Sequence, residues 1–235
     1  MSSQDIREIA FDTETTGLDP EVGHRIVEIG CVEMIGHVRT GRTFHAYLNP
    51  EREVPKEAEA VHGLSTKFLS DKPKFSDVAK QFLEFIEDSH LVIHNAGFDM
   101  KFINHELFLA EHATIKMERA VDTLILARQK FPGQPNSLDA LCKRFNIDLS
   151  ARTKHGALLD SELLADVYLE LRGGRQTTLS LHLENQSDPA MQTFTQTCVE
   201  IPHRSFDVSA EDTARHRAFI EKLKNPMWLE LDSAN

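Results

Sequence analysis

Ile9-Ala10-Phe11-Asp12-Thr13-Glu14-Thr15-Thr16-Gly17-Leu18 is the stretch that decides how this 235-residue chain is read. Three apolar residues run into two carboxylates at i and i+2, and a Thr-Thr-Gly turn follows. A buried strand over residues 8–11 puts Asp12 and Glu14 on one face at its end, because side chains alternate along a strand. Two carboxylates held close together at the mouth of a sheet repel. They persist only with cations between them or with one of them protonated. Taken alone, a D-x-E pair is more often a solvated strand end that starts a turn, so the rest of the chain has to decide.

Downstream, residues 25–35 alternate with β-branched enrichment, Gly36-His37 turns, and residues 42–48 form a third strand, giving an antiparallel meander closed by Asn49-Pro50. Residues 55–61 are polar and helix-compatible, and Ser65 can cap a short helix. Phe75, Val78, Ala79, Phe82, Leu83 and Ile86 make a helical stripe over 75–87. Leu91-Val92-Ile93 is a short apolar strand running into His94-Asn95-Ala96-Gly97-Phe98-Asp99, and a helix is predicted over 99–110. Val121-Asp122-Thr123 opens another helix through Arg128, stopped by Phe131-Pro132-Gly133. Residues 137–145 are helical with Asn136 or Ser137 as cap, and 157–171 form the most regular helix, ended by Gly173-Gly174. Strands first, then alternating helices and strands, predict one α/β domain with a mixed sheet and an appended C-terminal arm.

Composition narrows the class. Hydrophobic content of 40% and charged content of 27% are ordinary for a globular protein. Cys31, Cys142 and Cys198 are odd in number and form no C-x-x-C pair, which fits the reducing cytoplasm and no disulfide framework. No apolar h-region and no membrane-length apolar run is visible, so no membrane partner is expected. A formal charge of −11 argues against gripping nucleic acid through a broad basic surface. It leaves room for a nuclease whose acidic site is loaded with divalent cations.

Two more acids share the first pair's setting. Asp99 follows an apolar strand at a helix N-terminus, where a carboxylate is mildly favoured. Asp160 shares its helix face with Leu163, Leu164, Val167 and Leu171, and an unpaired buried carboxylate is too costly to keep without a cation or a proton. His155 lies five residues before it, next to Gly156. Asp12, Glu14, Asp99 and Asp160 with His155 make a kit for two-metal phosphodiester hydrolysis. Four hard oxygen donors suit Mg²⁺ or Mn²⁺, and a histidine near neutral pH can take a proton from attacking water.

Phe11-Asp12-x-Glu14-Thr15-Thr16-Gly17-Leu18, Val61-His62-Gly63-Leu64, Asn95-Ala96-Gly97-Phe98-Asp99 and His155-x4-Asp160 resemble, in order, the motifs of the DEDD exonuclease superfamily, histidine variety. Asn136-Ser137-Leu138-Asp139-Ala140-Leu141-Cys142 and His155-Gly156-Ala157-Leu158-Leu159-Asp160 are similar to its branch that proofreads for a bacterial replicative polymerase, over about residues 6–181. The resemblance implies a ribonuclease H-like mixed five-stranded sheet flanked by helices, 3′→5′ exonuclease action on a single-stranded or frayed DNA 3′ end, and two divalent ions. It makes Asp12, Glu14 and Asp160 principal metal ligands, Asp99 a further ligand partly through water, and His155 the general base. It sets Thr15, Gly17 and Leu18 under the terminal sugar and base, and Glu57 and His62 against the terminal nucleotide. Read from sequence alone, Glu57 is only a surface helix charge.

Gln176-Thr177-Thr178-Leu179-Ser180-Leu181 is similar to the family's sliding-clamp peptide, with Gln176, Leu179 and Leu181 as the contacts. The resemblance thus implies an exonuclease domain over 1–175, a clamp peptide over 176–183, a flexible linker over 184–208 and a docking segment over 209–235. The partners would be the beta sliding clamp and the alpha subunit of DNA polymerase III. In the last segment Ser209-Ala210-Glu211-Asp212 resembles a capping box. It precedes a helix with Phe219, Leu223 and Trp228 as anchors. Two rivals remain open on sequence: an RNA-processing exonuclease of the same superfamily, and a non-catalytic adaptor bridging clamp and polymerase.

Overall fold

The computed structural model describes residues 6–150, 152, 154–174 and 209–222. The clamp peptide, the linker, Leu223 and Trp228 lie outside them. The chain divides into two units, residues 1–181 and 182–235. In the first, the elements run β1 (Arg7–Thr15), β2 (Ile26–Ile35), β3 (Val38–Tyr47), α1 (Lys56–His62), α2 (Thr66–Leu69), α3 (Phe75–Ile86), β4 (His90–Ile93), α4 (Ala96–Leu109), β5 (Ala120–Asp122), α5 (Thr123–Lys130), α6 (Leu138–Phe145) and α7 (Ala157–Leu171). The described part of the second unit is α8 (Ala210–Ile220), capped by Ser209, whose hydroxyl accepts from the Asp212 N–H. Phe219 is exposed on it. No helix among the described residues is long and apolar enough to cross a membrane.

The sheet is mixed and five-stranded, in the order β3-β2-β1-β4-β5. β1 pairs antiparallel with β2 and parallel with β4, so the first motif lies on the central strand. The period of two on β1 sorts its side chains to two layers. Ile9 and Phe11 join Phe82 of α3 and Phe102 and Ile103 of α4 in the larger core. Ala10 packs on the other face against Leu164, Ala165 and Tyr168 of α7. Asp12 and Glu14 continue the Ala10 row and so face α7. α5 and α6 close over the outer side of α7 through Ala127, Leu141 and Cys142. The two described cysteines, Cys31 and Cys142, are free and buried.

Three expected boundaries shift. β1 does not stop at Phe11, because its ladder with β2 continues through Glu14↔Glu28 before a register shift. The acids therefore stand within a strand. α4 starts at Ala96, three residues before Asp99, because the Asp122 carboxylate accepts from the N–H groups of Asn95 and Ala96. Asn95 takes a left-handed conformation (φ 70°) that lets the chain turn from strand to helix. Residues 120–122 form a short edge strand on β4, where the sequence pattern alone predicts only the opening of a helix.

Candidate active site

Gly30 is what allows α7 to approach the acids. It stands opposite Asp12 in the β1/β2 ladder. A Cβ there would lie 2.2 Å from the carbonyl carbon and oxygen of Ala157 and 2.4 Å from the amide nitrogen of Leu158. The first turn of α7 thus rests on bare backbone, fastened by a hydrogen bond from the Ser161 hydroxyl to the Gly30 carbonyl at 2.9 Å. That contact carries Asp160, only 3% exposed, to the carboxylates of β1.

Asp99, also 3% exposed, reaches the same point from the first turn of α4. Its Oδ1 accepts from the Thr13 amide at 3.0 Å and the Thr13 hydroxyl at 2.7 Å. The structure therefore brings Asp12, Glu14, Asp99 and Asp160 together from three elements, as the consequences for proton affinity show. Asp12 is held well above the usual carboxylate range, first by burial and then by the charges of Asp99, Glu14, Asp160 and Glu28. Glu14 is pushed up to about 8 by burial, then by Asp160, Glu28 and Asp99. Burial raises Asp99 to about 7 against the pull of its Thr13 hydrogen bonds. Glu28, a fifth acid that the sequence reading passes over, lies opposite Glu14 and is met by His45 Nε2 at 2.7 Å.

His155 sits on the loop before α7, its amide donating to the Val61 carbonyl of α1 at 3.3 Å. Ligand atoms of Glu14, His155 and Asp160 all lie within 4.8 Å of one another. Arg152 is the residue that sequence reasoning missed. Its guanidinium forks onto Asp160 at 2.5 and 2.7 Å, pairs with Asp139, and reaches His155 Nδ1 at 2.8 Å. Its signal in the sequence, an Arg three residues before His155, has no period or spacing that singles it out. A cluster of hard oxygen donors whose protons are held this tightly, already attracting one cation, fits divalent metal ions.

Two hollows open on either side of the acids. One, of about 630 Å³, is lined by Glu14, Thr15, Gly17, Leu18, Glu57 and His62, with Val22, Val61 and Phe98 as further apolar walls. It gathers the residues named for the terminal nucleotide. A Cβ on Gly17 would meet the His24 ring at 2.3 Å, so a side chain there would have to displace that ring. His62 Nδ1 accepts from the Leu64 amide, which leaves the buried Nε2 as donor; burial lowers the ring's proton affinity against the pull of Glu28 and the Thr15 backbone. Leu18 is 84% exposed, an apolar side chain offered to the opening. The second hollow, a cleft of about 860 Å³, is lined by Asp12, His155 and Asp160 on its floor and by residues of α5, α6 and the loop between them.

Comparison with known proteins agrees with this geometry. Residues 9–168 match the exonuclease family model RNase_T. The chain is 50% identical over 230 residues to the DNA polymerase III subunit epsilon of Rickettsia typhi, covering 95% of this chain and 98% of that one. It is 46% identical over 194 residues to the protein of the same name from Escherichia coli K12, covering 80% and 79%. Among solved structures, exonuclease X in complex with 5′ overhanging duplex DNA superposes with a TM-score of 0.56 at 27% identity, over 71% of this chain and 90% of that one. The nuclease domain of 3′hExo, a DEDDh family member bound to rAMP, shares the fold with a TM-score of 0.62 at 19% identity, over 73% and 94%. The chain thus belongs to the DNA polymerase III epsilon subunit family, the 3′→5′ proofreading branch of the exonucleases.

Proposed function

We propose that this exonuclease removes 3′-terminal nucleotides from DNA with two divalent ions, Mg²⁺ or Mn²⁺, held by Asp12, Glu14 and Asp160, with Asp99 as a further ligand. The observation that carries the proposal is the crowd of buried acids with raised proton affinity and too little positive charge to answer it. Bound there, two ions would stabilise charge on the attacking and leaving oxygens of an in-line displacement. The chain's own groups do the rest. His155, half-exposed beside Asp160 at 3.3 Å, takes the proton from the attacking water. His62 and the apolar walls around Leu18 receive the last nucleotide, with Glu57 at the rim of the same hollow. Arg152, which holds both Asp160 oxygens, would have to give them up to bound ions.

The proposal extends to tethering in the cytoplasm. Residues 1–175 would hydrolyse, Gln176, Leu179 and Leu181 would hold the beta sliding clamp, and 209–235 would dock on the alpha subunit of DNA polymerase III. A chain of charge −11 binds free DNA weakly, so tethering supplies the effective concentration that surface charge does not. The deciding experiment measures nucleotide release from matched and mismatched DNA 3′ ends, and from an RNA end, with Mg²⁺, with Mn²⁺ and with EDTA. Metal-dependent release that favours the mismatched DNA end is expected. Release unaffected by EDTA would overturn the metal assignment, and equal release from RNA would overturn the DNA one.

A further inference from the structure

The cleft on the far side of the acids has a wall that the hydrolytic chemistry does not use. Arg128, near the end of α5, lines it and is exposed. Among the described residues it makes no hydrogen bond or ion pair, although its neighbour Lys130 binds carbonyls at the end of α7 and Arg152 is taken by Asp139 and Asp160. Gln134 lines the same wall, and its side chain has no partner among the described residues either. It follows a tight turn, Phe131-Pro132-Gly133-Gln134, closed by the Gln134 amide on the Phe131 carbonyl, with Gly133 at φ 72° as such a turn requires. The backbone of that turn is therefore set.

The two hollows meet at the acids and differ in chemistry. Glu14 borders the apolar one, and Asp12 borders the one that carries Arg128. A strand whose last nucleotide fills the apolar hollow has to pass its scissile phosphate over the acids and continue into the cleft. There the backbone carries one negative charge per linkage, and a guanidinium matches a phosphate's oxygens with paired donors.

We propose that the cleft is the track of the incoming strand and that Arg128, with Gln134 on the same wall, binds the backbone phosphates just 5′ of the scissile linkage. This rests on the hydrolytic reading above. The test is a cycle in the full chain with Mg²⁺, using oligothymidylates in which the second or third linkage from the 3′ end is a neutral methylphosphonate. One charge-assisted contact of about 1.5 kcal/mol corresponds to about a tenfold change in KM. Arg128→Ala should raise KM on the unmodified strand by about that factor, with kcat changed less than about twofold. One of the neutral linkages should do the same to the wild type, and the two changes together should do no more than either alone. Arg128→Lys should fall between, and the salt dependence of log KM should flatten by about 0.7 in Arg128→Ala. Additive effects, or an unchanged KM in Arg128→Ala, would overturn the track while leaving hydrolysis intact. A wild type that releases nothing from the unmodified strand would overturn both.

Discussion

Strand β1 carries acids at both ends of one face, all turned toward α7, Glu8 and Glu14 buried and Asp12 half-buried, and the two ends treat them oppositely. At the start, Glu8 is 3% exposed and fully answered. His37 Nδ1 stands 2.5 Å from its Oε2, and the Tyr168 hydroxyl donates to its Oε1 at 2.7 Å while itself accepting from Arg172. At the far end, Asp12 and Glu14 face Asp99, Asp160 and Glu28, with one guanidinium for the group. The same strand and helix thus hold one acid as structure and the others as unmet demand. A buried carboxylate with neighbours that cannot satisfy it is tolerated where a cation from outside completes it.

The largest effect follows from removing the demand. Asp12→Ala or Asp160→Ala should lower nucleotide release by about 10³-fold or more, beyond what losing one electrostatic partner costs. Thermal stability without metal should hold or rise, because like-charge repulsion is relieved. Glu8→Ala should do the reverse, costing about 1–3 kcal/mol by stranding the Tyr168 hydroxyl and leaving turnover near normal. Denaturant melts and release assays on the three variants check this. Near-normal turnover in either aspartate variant would erase the distinction between the two ends.

Next comes the proton. His155→Ala should lower kcat by about 10²–10⁴-fold, the usual contribution of a placed general base, with metal affinity little changed. The wild-type rate should climb with pH as the general base loses its proton, and that limb should be missing from the variant. A pH–rate profile on both proteins decides it. An unchanged profile would reduce His155 to a side chain that packs at the start of α7.

Asp12, Glu14, Asp99, His155 and Asp160 stand out in the sequence by residue type and order, and the structure gathers them; the mixed sheet follows from the strand and helix alternation with the family likeness. What stayed hidden depends on long-range placement. β5 is three residues long, too short for a period to register. The start of α4 is set by Asp122, 26 residues away from Ala96, so no local capping signal announces it. Arg152 and Arg128 look alike in the sequence, as surface cations near turns. Only the fold shows one pressed onto Asp160 and the other facing an open cleft. Glu57 reads as a helix charge until α1 brings it to the hollow beside Leu18.

Gly30 tests whether the demanding end depends on the close seat of α7. Gly30→Ala puts a methyl group into the backbone of Ala157 and Leu158, and helix backbone cannot rotate away as a long side chain can. Overpacking of this kind costs about 1–3 kcal/mol. A shift of Asp160 by about 1 Å can cost about 10²-fold in rate. The loss should appear in kcat and in metal affinity together, and the Glu8 network at the other end should keep its melting behaviour apart from that global cost. Gly156→Ala is the control, since a Cβ there would come no nearer than 4.0 Å to Glu28.

The smallest effect is a slope of stability with pH, and its sign separates the two ends without any mutation. Glu14 and Asp99 have folded-state pKa values of about 8 and about 7, against ordinary values of 4.5 and 3.8. Between the unfolded and folded values the native state therefore binds more protons than the unfolded chain. Its stability is greatest below that window and declines as pH rises through it. His62 and His94 shift the other way, lowered by burial, and add stability as pH rises toward about 6.5. Above that value they are neutral in both states, and the interval from about 6.5 to 8 lies below the range where the buried thiols of Cys31 and Cys142, also raised by burial, add to the decline. In EDTA the melting temperature should fall across that interval by about 2–4 °C for each kcal/mol lost. Saturating Mg²⁺ should flatten the decline, because a ligand that binds only the native state stabilises it by mass action. Asp12→Asn should shallow the slope in EDTA, and Glu8→Gln should leave it as it is. A melting temperature that rises with pH in EDTA would mean that the acids are already balanced within the protein, and the contrast along β1 would vanish.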